Sequence, residues 1–199
     1  EGLAGYTKPK DNPKKLKRIK AFTGTGGAPD GLDRTTKLYI GGKRSRPDGG
    51  YSRDIYGPKG DHLGQVSEAN RKDLRNAVEA MNAAKGWGKT TGHLRAQILY
   101  YVAENLSVRS DELALKIKAL TGANGKAEVD HCINTLFTFA AWADKYDGRV
   151  HGVPIRGVAL AMHEPVGKIA AFADDDWPLL GLISPMAVAM AMGNRITLI

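Results

Sequence analysis

Residues 164–199 read EPVGKIAAFADDDWPLLGLISPMAVAMAMGNRITLI, and the fold turns on how this stretch is parsed. Lys168 to Ala173 is a short apolar run, followed by a polar elbow of Asp174, Asp175 and Asp176. An almost wholly apolar segment from Trp177 to Met192 comes next, then a Gly193-Asn194 stop and a second run, Ile196 to Ile199. Length and punctuation predict strand, loop, helix and strand. This is a βαβ unit, whose two strands pair in parallel across a right-handed crossover. Ligands of open α/β sheets gather at the carboxyl ends of the strands, so a cofactor site would centre on Ala173 to Trp177.

Outward from that unit, Arg149 to Ile155 and Gly157 to His163 read as two strands joined around Pro154-Ile155-Arg156-Gly157. Four helical stripes precede them. Asn70 can cap the first, which carries Leu74, Ala77, Val78 and Met81 on one face and ends at Gly86. The second runs from about Gly92 to Leu106 with Leu94, Ile98, Leu99, Val102 and Leu106 inward. Ser110, Asp111 and Glu112 open the third, which turns Leu113, Ile117 and Leu120 inward and stops at Gly122. In the fourth, Val129, Ile133, Leu136, Phe137 and Ala140 form the stripe, and the helix ends near Asp147-Gly148. Such stripes are core faces before they are cofactor contacts. Before them come short strands: Leu38 to Ile40, a hairpin-like segment turned at Arg46-Pro47-Asp48-Gly49-Gly50, and His62 to Val66.

With 199 residues and 42% apolar content, the chain is of one-domain size and has enough apolar material for a core. A single cysteine excludes an internal disulfide framework and fits a reducing compartment, the cytoplasm or the mitochondrial matrix. The five histidines form no pair at ligand spacing with each other or with the cysteine, so no metal site is expected. The apolar run Trp177–Met192 is shorter than the roughly 20 residues of a membrane-spanning helix and contains Pro185. No signal peptide or initiator methionine opens the chain at Glu1-Gly2-Leu3.

The net charge of +8 is concentrated in Lys8, Lys10, Lys14, Lys15, Lys17, Arg18 and Lys20. Such a tract can meet phosphates or an acidic surface, but it has no interleaved aromatics and no recognition motif. A solvated linker is the favoured reading, with nucleic acid possible and not favoured. The Gly-rich TGTGGAPDG that follows comes after no convincing strand and opens no helix, which makes it a poor phosphate loop.

E-P-x-G, a strand, W-P-L-L and an apolar helix closed by A-x-G-N before a second strand resemble the start of the cofactor domain of aldehyde dehydrogenases. Upstream, Leu38-Tyr39-Ile40-Gly41-Gly42, Ala84 to Trp87, Arg95-Ala96, Glu112-Leu113-Ala114, Leu120-Thr121-Gly122 and Asp144-Lys145-Tyr146-Asp147-Gly148 resemble that family in the same order. The expected fold is α/β: the first half of a Rossmann-like cofactor domain, with small antiparallel strands, four helices and a βαβ start. Residues 37–199 form that part. Residues 1–36 comprise a basic Gly/Pro-rich linker and, in EGLAGYTKPK, the tail of a preceding unit. Two parallel strands and one crossover helix leave a sheet unfinished and the helix exposed over much of its surface. The rest of an aldehyde dehydrogenase chain, or a partner subunit, is expected to complete it. The resemblance also implies a homodimer, formed through the two strands after Gly148.

The same resemblance places two departures at the chemistry. The family's P-W-N-[FY]-P elbow offers an Asn side chain to the oxyanion, and here Asp176 stands at that place. An ionised carboxylate has no donor, and losing one oxyanion donor costs about 3 to 4 kcal/mol of transition-state stabilisation. The family's second strand ends in a Lys that binds the adenosine ribose, where this chain has Ile199. The vestigial site is therefore Ala173, Asp174, Asp175, Asp176, Trp177 and Ile199, with no catalytic residue and no NAD or NADP bound by this portion. Cys132 is the only cysteine, but the family's thiolate lies well beyond the first βαβ unit. His131 points roughly 100° away from it on the same helix. Cys132 is read as packed or idle.

The acidic D-x-W-P-L-L elbow, with the linker, is most similar to the second, non-catalytic unit of the tandem family-sixteen aldehyde dehydrogenases. The function implied is that of a scaffold and oligomerisation piece, inactive alone, of a parent that oxidises aldehydes to acids. The alternative is an enzyme-derived subunit of a larger, possibly organellar, assembly that contacts acidic partners or RNA through the basic tract.

Overall fold

The computed structural model describes residues 33–173 and 175–199. Most of the expected linker, and Asp174 of the elbow, lie outside the described residues. The first strands are β1 (Leu38–Ile40) and β2 (Lys43–Ser45), then β3 (Ser52–Tyr56) and β4 (His62–Ser67). Each pair is antiparallel, with Tyr39 opposite Arg44 and Asp54 opposite Gln65. The hairpin turns fall at Gly41-Gly42 and between Tyr56 and His62, which corrects the expected hairpin at Arg46–Gly50. That segment instead links two separate hairpins. It is pinned to helix α1 (Arg71–Ala83) by Asp73, whose carboxylate accepts from Asp48 N at 3.1 and 3.2 Å.

Asn70 caps α1 as expected. Its Oδ1 accepts from Lys72 N and Asp73 N, and Asp73 returns the bond to Asn70 N, a reciprocal capping box. The helix ends at Ala83, before Gly86, and a single 3-10 turn at Trp87–Lys89 leads to α2 (Gly92–Val108). The remaining helices are α3 (Ser110–Thr121) and α4 (Gly125–Trp142). Gly122 ends α3 in a left-handed conformation at φ 76°, which a side chain would strain.

β5 (Arg149–Gly152) and β6 (Val158–Ala161) form an antiparallel hairpin exposed along its whole length. β7 (Lys168–Ala171), α5 (Leu180–Ala191) and β8 (Arg195–Leu198) then build the anticipated βαβ unit, with parallel pairing from Lys168–Arg195 to Ala171–Leu198.

The core is a helical layer in which α4 packs against α2, α3 and α5. Leu99, Val129, Cys132 and Leu136 are its largest fully buried side chains. Ala96, Ala103, Ala140, Ala187 and Ala191 sit between them, and small side chains let helix axes approach closely. At Gly125 an added Cβ would lie 2.1 Å from the Ala114 carbonyl oxygen, so no larger residue fits where α4 meets α3.

Several expected core positions are not buried. Leu74, Leu94, Leu120 and Phe137 are each about two-fifths exposed, while Ala96 and Ala103 take the inward places on α2. The inward face of α2 is thus Ala96, Leu99 and Ala103, in which only Leu99 is a large apolar residue. The expected exposure of α5 is also corrected. Only Ser184 and Val188 of that helix are exposed, because α2 and α4 cover it within the chain.

Candidate functional site

The site grows from the carboxyl ends of the two parallel strands. Past the paired residues, Ala173 N donates to Ile199 O at 2.8 Å, and Ile199 N donates to Ala171 O at 2.9 Å. Two of the residues singled out, Ala173 and Ile199, therefore lie side by side at the strand tips. Asp175, Asp176 and Trp177 follow in an exposed bend that leads into α5, and Gly181 N reaches back to Trp177 O at 2.7 Å. The Ile199 side chain, half exposed, brings no hydrogen-bonding group to this rim.

The first turn of α5 has no side-chain cap of its own. Its free amides are met from another helix: Glu128 Oε1 in α4 accepts from Leu179 N at 2.8 Å and Leu180 N at 2.9 Å. Glu128 is 3% exposed, and burying a carboxylate is tolerable only with such partners. The inventory of candidate residues from sequence omitted it. The available signal was spacing, since Glu128, Cys132, Leu136 and Ala140 recur every four residues on one helical face and all are buried.

Cys132 lies one turn from Glu128 and is fully buried. Burial and, to a lesser extent, the Glu128 charge push its thiol up to about 12, so it stays protonated and unreactive near neutrality. It is enclosed in the helical layer among Leu136, Ile183 and Ala187, and His131, though adjacent in sequence, is exposed.

The opposite end of α5 is closed by polar anchors. Arg95 Nε donates to the Ala191 carbonyl at 2.9 Å, and Arg95 Nη1 donates to Thr90 O. Asn194 Oδ1 accepts from Gly167 N at 2.8 Å, tying the E-P-x-G loop to the helix end. Gly193 adopts φ 79°, and a Cβ there would come within 3.0 Å of Pro165 Cγ. Two cations then attach the strands to α1: Arg195 Nη1 to Met81 O at 3.0 Å, and Lys168 Nζ to Asn82 Oδ1 at 2.9 Å.

Among the described residues, no three His, Cys, Asp or Glu side chains gather to hold a metal ion, and no helix is long and apolar enough to cross a membrane.

Comparison with known proteins agrees with this architecture. Residues 48–198 match the model of the aldehyde dehydrogenase family. Retinaldehyde dehydrogenase 3 of Rattus norvegicus is 29% identical over 175 residues, covering 82% of this chain and 34% of the relative. Cytosolic 10-formyltetrahydrofolate dehydrogenase of Xenopus laevis is 30% identical over 174 residues, covering 81% of this chain and 19% of that protein. In structure, betaine aldehyde dehydrogenase of Staphylococcus aureus in complex with NAD+ superposes with a TM-score of 0.79 at 26% identity, over 82% of this chain and 34% of the other. The chain thus spans about a third or less of the length of these relatives. The matched residues run from the Arg46–Gly50 connection to the last residues of β8 and take in the whole helical layer, and on that footing the chain belongs to the aldehyde dehydrogenase family.

Proposed function

We propose that this portion serves as a non-catalytic scaffold of an aldehyde dehydrogenase-type protein, comparable to the second unit of the tandem family-sixteen enzymes. The observation that carries the proposal is the Asp at 176. In the bend after β7, where the resemblance calls for an amide donor to an oxyanion, this chain offers a carboxylate, which can only accept and repels developing negative charge. Three further features support it. The Ile199 side chain carries no hydrogen-bonding group, the α5 amides are taken by Glu128, and Cys132 is sealed in the helical layer. The residues present at the elbow do not fit a nicotinamide dinucleotide. No catalytic step is therefore derived through one.

As a scaffold the chain would act through surfaces. The β5–β6 hairpin exposes Val150, Val158 and Leu160, and Met162 follows it, each more than 60% accessible, on an edge with backbone groups open to pairing. A second subunit or the rest of an aldehyde dehydrogenase chain would cover it.

Steady-state assay of NADH formation from a short aldehyde tests the proposal. No turnover above the buffer rate is expected for the chain, nor for Asp176→Asn, because restoring one donor supplies no nucleophile. Turnover by the unaltered chain that is abolished by Cys132→Ser overturns it.

A further inference from the structure

We infer that Glu128 is the positioning residue of the elbow: reaching from the first turn of α4, its carboxylate fixes the first turn of α5 and hence the course of residues 175–178. The elbow hangs between two ties. On the strand side it is the bond from Ala173 N to Ile199 O, and on the helix side it is the pair of bonds into Glu128 Oε1. Between them Asp175, Asp176 and Trp177 are exposed.

The helix-side tie is the stiffer one. Glu128 stands next to Val129, one turn before Cys132 and two turns before Leu136, all with no solvent exposure, so its backbone is anchored in the core. The amides it accepts from are the orphan donors of a helix start, where a negative charge is also favoured by the helix dipole. Hydrogen bonds to a charged acceptor are worth roughly twice those between neutral groups. A ligand carboxylate or phosphate approaching the start of α5 would have to displace this internal anion. The inference holds whether or not the elbow retains any chemistry, so its test is separate from the activity assay above.

The test is residue-resolved amide hydrogen exchange on the full 199-residue chain and on Glu128→Ala and Glu128→Gln, read together with Trp177 emission in a Trp87→Phe/Trp142→Phe background. Positioning predicts that Glu128→Ala speeds exchange at residues 179–181 about tenfold while Leu99 and Leu136 change less than about threefold, and that Trp177 emission shifts. Glu128→Gln, whose side-chain carbonyl still accepts, is expected to restore both signals. Faster exchange spread evenly over elbow and core, or an elbow unchanged in Glu128→Ala, overturns the inference. So does failure of Gln to rescue. Should Glu128→Ala not fold, Glu128→Asp replaces it: its shorter side chain withdraws the acceptor, and the same local opening is expected, with equal opening of core and elbow again contradicting the inference.

Discussion

At the amino-terminal end of α5 a carboxylate from α4 takes two free amides, and at the carboxyl-terminal end a guanidinium from α2 takes a free carbonyl. Both ends are held by charged side chains from other helices, in the polarity the helix dipole favours. Their loops differ. The loop after α5 keeps Gly193 and Asn194, and both do structural work there: one makes the close approach to Pro165, the other accepts from Gly167 N. In the loop before α5, Pro178 and the Trp-Pro-Leu-Leu run match the family resemblance, while the one position expected to donate to substrate is Asp176. On the proposed reading, residues that shape the unit and residues that would react in it have parted company within a single βαβ motif.

The comparison breaks first at Gly193. Gly193→Val combines a left-handed backbone with contact against Pro165, and a loss of about 3 kcal/mol in urea unfolding is expected. A loss under about 1 kcal/mol would mean that the loop relaxes freely and that this end is not rigidly set. Arg95→Ala should cost about 2 kcal/mol by leaving the Ala191 and Thr90 carbonyls without their charged donor. Arg95→Lys should recover only part of this, since an ammonium cannot reach both carbonyls with a planar fork.

At the hairpin, Leu160→Asp should weaken self-association in analytical ultracentrifugation and leave the unfolding midpoint nearly unchanged, because residue 160 is 62% exposed. Cys132 sharpens the comparison in another way. Its thiol should resist iodoacetamide at pH 8 in the native chain and react at once in urea. The folded thiol titrates at about 12, above its ordinary 9.0, so the neutral form is the one the fold favours. This contribution to stability is complete below pH 9 and is lost as pH climbs from 9 towards 12. The smallest effect belongs to Asp176→Asn: an exposed position should shift stability by no more than about 0.5 kcal/mol.

The βαβ unit was legible because strand, elbow and helix each carry their own punctuation, and Gly122 and Asn70 marked helix ends by chemistry that needs no tertiary context. The Arg46–Gly50 segment was misread since a Pro-Asp-Gly-Gly string signals a turn without saying which strands it joins; the partner that settles it, Asp73, is distant in sequence. The cover over α5 was missed for a related reason. Alanines at 96 and 103 look neutral in sequence, yet together with Ala140, which the stripe of the fourth helix did include, they are what lets α2 and α4 close over the helix. Glu128 went unnoticed because an acid in a first helical turn is usually a solvated dipole partner, and only the packing of α5 shows which amides it serves.

The central claim is that the elbow keeps its scaffold without its cofactor chemistry, and calorimetric titration of NAD and NADP into the 199-residue chain tests it most directly. The account predicts no saturable heat up to millimolar cofactor, for the chain and for Asp176→Asn alike. Saturable binding in the micromolar range that is lost on Ile199→Asp would contradict it.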